Sequence, residues 1–95
     1  MSSETQSTKI LFVDDEEMVL SGITLTVGRN FDIRTATSGT EGLALIESEG
    51  PFAVVVSDFN MPGMDGVEFL QQVRAMDKDA VTMLLTGGAN FNEVS

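Results

Sequence analysis

The chain has 95 residues, enough for one domain with a real core and too few for two. Its 42% hydrophobic and 21% charged content describes a globular chain rather than a disordered one, and no apolar run approaches the ~20 residues that span a bilayer. With no cysteine and no histidine, disulfides, thiolate metal sites and the commonest general base are excluded, while a net charge of −10 argues against nucleic acid and anionic membranes as partners.

Residues 1–8 are polar, without a basic start or an apolar centre, and read as a flexible tail rather than a leader or anchor. The domain then covers 9–95, and the lack of cysteine suits a cytoplasmic location. A first strand is expected over 10–14, where Ile10-Leu11-Phe12-Val13 runs into Asp14-Asp15. The next stretch puts Val19, Leu20, Ile23 and Val27 on one helical face, closed by Gly28. A second strand is expected over 32–36. Ser38, followed three residues later by Glu41, has the form of a capping box, and Leu43 and Ile46 supply the apolar face of a helix ending near Gly50-Pro51. The third strand is expected over 53–57, running into Asp58 and then Phe59-Asn60-Met61-Pro62-Gly63. Asp65 with Glu68 suggests another acid-assisted cap, ahead of an inward stripe of Phe69, Leu70, Val73 and Met76. A fourth strand is expected over 81–85, followed by Thr86-Gly87-Gly88. Short apolar runs alternating with amphipathic stretches read as βαβα and a parallel sheet. Seven residues remain after Gly88, so the pattern stops in mid-unit, as in an α/β domain without its last helices and strand.

Right-handed crossovers put all parallel strand C-termini on one side of the sheet, the side on which open α/β sheets bind ligands. Asp14, Asp15, Asp58 and Thr86 therefore share one rim. Like charges within ~5 Å cost roughly 3 kcal/mol per pair at an effective dielectric of 20, which raised pKa values or a bound divalent cation would relieve. With only oxygen ligands on offer, the ion is hard, and few protein ligands with several waters suit Mg²⁺. A carboxylate beside Mg²⁺ can attack a phosphoryl group, and the Thr86 hydroxyl can donate to a phosphoryl oxygen. Duller readings exist for each residue taken singly: Asp15 as a helix N-cap, Asp58 as a turn former, Thr86 as a loop residue before two glycines.

With these residues together, the chain resembles the receiver domain of two-component response regulators. The resemblance covers about 9–95 and rests on Asp14-Asp15, on Asp58-Phe59-Asn60-Met61-Pro62-Gly63-Met64-Asp65-Gly66, and on Leu84-Leu85-Thr86-Gly87. It implies a flavodoxin-like, doubly wound parallel sheet of strand order 2-1-3-4, with the usual fifth strand and last helix missing. It further implies that Asp58 is the phosphoacceptor, served by a sensor histidine kinase or phosphotransfer protein. Asp14, Asp15, Asp58 and the backbone carbonyl of Asn60 would hold Mg²⁺, and Thr86 would be the switch residue that closes on the phosphate. Met18, Val19 and Ser21 are the docking positions that the resemblance suggests. The domain would catalyse only its own phosphorylation and slow hydrolysis, and its output domain would normally lie C-terminal.

Receivers carry a Lys at the end of the fifth strand, which this chain does not reach. None of its five basic residues, Lys9, Arg29, Arg34, Arg74 and Lys78, is placed to substitute. The strand at 81–85 would then present an apolar edge open to self-association. The competing reading is thus a receiver-like interaction fragment that does not turn over phosphate. An aspartyl-phosphate phosphatase is disfavoured because Asn60 stands where that chemistry needs an acid two residues after the nucleophile. A dinucleotide site is disfavoured because no Gly-x-Gly-x-x-Gly follows the first strand.

Overall fold

The apolar runs form parallel strands joined by helices in the computed structural model of the chain, which describes residues 8–85. In chain order the elements are β1 (Lys9–Val13), α1 (Glu17–Val27), β2 (Asp32–Ala36), α2 (Gly39–Glu49), β3 (Val54–Asp58), α3 (Gly66–Met76) and β4 (Val81–Leu85). The sheet order is β2-β1-β3-β4, as expected. β2 and β4 fall where the sequence puts them, whereas β1 and β3 are each displaced by one residue from the predicted 10–14 and 53–57. Pairing sets these ends. Lys9 enters β1 opposite Asp32, and Asp58 closes β3 opposite Leu85.

Register fixes which side chains share a face. Leu11 stands beside Val55 and Val13 beside Ser57, so alternate residues of the two central strands are aligned. Leu11, Val13 and Val55 join Ile46 of α2 and Phe69, Leu70 and Val73 of α3 in one buried cluster with Ala36, Phe52 and Met61. α2 and α3 pack on each other and on this face. The crossover from β1 out to β2 runs the other way, which places α1 on the opposite face.

α1 is less deeply packed than its periodicity suggests. Leu20 is its one buried residue; Ile23 and Val27 are half-buried and Val19 is 39% exposed. The reason is that, among the described residues, α1 has no neighbouring helix, and its main sheet contact is the outer strand β2. Met76, expected on the inward stripe of α3, is its last residue and is exposed. Gly28 does close α1, in right-handed geometry with φ −65°, so no left-handed cap is used.

The predicted caps are present. Glu41 N–H donates to Ser38 Oγ at 3.1 Å, and the Glu41 carboxylate reaches back to Thr37, accepting from its N–H at 2.8 Å and its hydroxyl at 2.9 Å. Glu68 N–H donates to Asp65 Oδ1 at 2.9 Å. Ser38→Ala and Asp65→Ala should each cost about 1 kcal/mol in urea unfolding, and losses below a few tenths would show that solvent caps these ends equally well.

Within the described residues β4 pairs only with β3 and leaves Val81, Met83, Leu84 and Leu85 exposed. No helix among them is long and apolar enough to cross a membrane.

Candidate functional site

Val13 and Ser57 are register partners on adjacent parallel strands, and parallel neighbours run ~4.8 Å apart. The residues that follow them, Asp14 and Asp58, therefore stand side by side at the C-terminal ends of the strands. Asp14 is pinned by its N–H, which donates to Ala36 O at 3.1 Å, and by its carboxylate, which accepts from Glu16 N–H at 2.9 Å. Asp15 follows on the exposed turn into α1. It does not cap that helix, because the N-cap position falls to Glu16, whose side chain makes no capping bond. Asp14, Asp15 and Asp58 each offer one carboxylate oxygen such that all three lie within 4.8 Å of one another. The sequence-predicted trio is thus brought together, with Asp15 open to solvent and the other two half-buried.

The electrostatics follow from that crowding. The Asp58 carboxyl is held above its ordinary value, first by partial burial and then by the charge of Asp14, with Asp15 adding to it. The backbone N–H groups of Phe59 and Asn60 face the carboxylate and pull the other way. No described ion pair brings a cation to the trio. Arg34 is bound to Asp32 and to Glu49, and Lys9 lies over the Phe52 ring and donates to the Glu49 carbonyl, at the far end of the sheet. An all-oxygen donor set with an open side fits a hard divalent cation that keeps several waters.

Past Asp58 the chain turns through Phe59 and Asn60, both exposed, to Met61, which is buried in the core cluster. Gly63, at φ +84°, takes the left-handed conformation that the turn requires. Thr86 lies outside the described residues, one position beyond the end of β4. The sequence reading did not single out two residues that bear on the site, Ser57 and Gly66. Ser57 is fully buried next to Asp58, and its signal was a hydroxyl between a run of valines and the strand-end acid.

The response regulator receiver domain family matches residues 10–95. This chain belongs to that family. It is 33% identical over 92 residues to the hydrogenase transcriptional regulatory protein HoxA of Cupriavidus necator, covering 97% of this chain and 19% of that protein. It is 38% identical over 89 residues to a probable chemotaxis protein CheY of Rhizobium etli, covering 88% of this chain and 67% of that protein. Among solved structures it is similar to the response regulator TrrA of Thermotoga maritima, in complex with Mg²⁺ and BeF, with a TM-score of 0.78 and 32% identity over 90% of this chain and 75% of that one. The receiver domain spans well under half the length of the transcriptional regulators it matches. Receiver domains are signalling modules of two-component response regulators and not conventional enzymes. In this receiver domain the acidic cluster stands at the C-terminal rim of the sheet, where the fold class places its ligands.

Proposed function

We propose that the chain is the phosphoacceptor domain of a two-component system, with Asp58 taking a phosphoryl group from a sensor histidine kinase or phosphotransfer protein. The observation that carries this reading is the convergence of the Asp14, Asp15 and Asp58 carboxylates within 4.8 Å. Asp58 stands at a strand end with its carboxylate half-open to solvent, so one of its oxygens attacks the donor's phosphorus. A new O–P bond forms, and the donor leaves with the electron pair of the bond that breaks. Asp14, Asp15, Asp58 and the backbone carbonyl of Asn60 would hold Mg²⁺, which when bound offsets negative charge on the transferring oxygens. The Mg²⁺ and BeF in the TrrA structure support that assignment by similarity. Thr86, the next residue in sequence after β4, would donate its hydroxyl to a phosphoryl oxygen. Met18, Val19 and Ser21 are all exposed on α1 and offer the kinase a docking face. The regulated output belongs to segments outside the receiver, as the greater length of the transcriptional regulators suggests, and the setting is cytoplasmic.

The test is intact mass after incubation with Mg²⁺ and acetyl phosphate, comparing the wild-type chain with Asp58→Ala. A gain of one phosphoryl group, absent without Mg²⁺ and absent in the variant, is the expected result. A folded wild-type chain that stays unmodified would sink the reading.

A second reading has its own observation. Val81, Met83 and Leu85 alternate on the exposed face of β4, at 57%, 49% and 45% exposure, and the strand's outer edge is unpaired among the described residues. Such an edge is a template for pairing with another chain. Light scattering should show association that grows with concentration; a monodisperse monomer throughout would count against it.

A further inference from the structure

Ser57 follows the β-branched run Val54-Val55-Val56 with a hydroxyl, on the face of β3 that also carries Val55. Its exposure is 0%, and it is the only polar residue in the buried set among the described residues. Packing alone would be served by an apolar side chain there, since a buried hydroxyl costs free energy unless its hydrogen bond is made. Ser57 Oγ donates to the carbonyl oxygen of Asp58 at 3.0 Å.

The same carbonyl is closed off by α3. A Cβ on Gly66 would lie 2.3 Å from Asp58 O and 3.1 Å from its carbonyl carbon, so the first residue of α3 rests directly on this peptide. The peptide is held at its nitrogen as well: Phe59 N–H donates to Leu85 O at 2.9 Å. Phe59 O then accepts from Gly66 N–H at 3.0 Å. Together these contacts fix the Asp58–Phe59 peptide plane, and with it the directions of the Asp58 side chain and of the N–H groups that face its carboxylate.

We propose that Ser57, with Gly66 against the same carbonyl, is a positioning residue that aims the Asp58 carboxylate at Asp14 and Asp15. The proposal rests on the reading of that trio as the Mg²⁺ site. Ser57 touches neither metal nor phosphate; it acts through the Asp58 carbonyl. Without its hydroxyl the peptide gains freedom to rotate, the three oxygens converge less often, and cation affinity falls by more than the loss of fold stability accounts for.

Mg²⁺ dissociation constants from titration of the ¹⁵N-labelled chain, followed at the Phe59 and Asn60 amides, test this alongside urea stability. The variants are Ser57→Ala, Ser57→Cys and Val55→Ala, with Asp58→Asn as the control for the site. Val55 is equally buried on the same face but does not bond the Asp58 carbonyl. Ser57→Ala should weaken Mg²⁺ binding about three- to tenfold, the scale of one net hydrogen bond. Val55→Ala should lose stability with Mg²⁺ affinity unchanged. Ser57→Cys, a weaker donor of similar shape, should fall between wild type and Ser57→Ala, and decides the matter if the alanine variant does not fold. Wild-type affinity in both Ser57 variants, or equal losses in the Ser57 and Val55 variants, would overturn the positioning role and leave the metal site standing. A wild-type chain with no Mg²⁺ response lost in Asp58→Asn would overturn both.

Discussion

Asp58→Asn should raise the thermal midpoint of the metal-free chain by several degrees and abolish the further rise that Mg²⁺ gives the wild type. Three carboxylates within 4.8 Å repel one another, and partial burial, with the charge of Asp14 and then Asp15, holds the Asp58 carboxyl above its ordinary value. A group whose pKa is higher in the folded state than in the unfolded one favours folding when protonated and disfavours it when ionised. Wild type and variant should therefore have similar stabilities below the ordinary carboxylate range, where Asp58 is protonated in both states. The wild type should fall behind as pH rises through the raised Asp58 range. Like charges this close at a solvent-screened rim cost on the order of 1 kcal/mol, or about 4–8 °C for a domain of this size. Mg²⁺ reverses the order, since a ligand bound only by the folded state stabilises it by ~2.7 kcal/mol at a hundred times its dissociation constant. Melts with EDTA and with Mg²⁺ across a pH series check all three statements. A metal-free Asn variant less stable than wild type would show that the pull of the Phe59 and Asn60 N–H groups on the Asp58 carboxylate outweighs the repulsion.

The same residues explain how far the sequence could be read. Asp14 and Asp58 were legible because an apolar run that stops at an acid places that acid on the rim whatever the details of packing, and parallel connectivity puts all such rims together. The caps at Ser38 and Asp65 were legible because their partners are local, three residues away. The one-residue offsets of β1 and β3 were not, because the neighbouring strand decides where pairing ends. Periodicity gave α1 an apolar stripe but could not tell how much of the stripe finds a partner; Val19 and Met76 failed as core residues because what lies across from them is a tertiary fact. Ser57 escaped notice for a related reason. A hydroxyl in a strand has an inward and an outward reading, and the choice rests on its register against Val13.

Phe69→Ala should remove a large share of the stability of the domain and disturb the site from below. Phe69 is fully buried and heads the set of largest buried side chains. It packs α3 against α2 and the sheet: a Cβ on Gly42 would meet its ring carbons Cε1 and Cζ at 2.9 Å and a Val13 methyl carbon at 3.1 Å. Deleting such a ring costs about 3–5 kcal/mol, against a total of ~5–15 kcal/mol for a domain. The cavity would lie one turn from Gly66, whose close approach holds the Asp58 peptide, so folded molecules of the variant should also bind Mg²⁺ more weakly. Met76→Ala, on the same helix but exposed, should stay within about 0.5 kcal/mol of wild type. Gly42→Ala should fall between them, because the added methyl has to displace either the Phe69 ring or Val13, an overpacking cost of about 1–3 kcal/mol. Urea unfolding of the three variants gives the ranking. If Phe69→Ala cost no more than Met76→Ala, the α2–α3 layer would not be what supports the sheet, and the account of how Asp58 is held in place would fall with it.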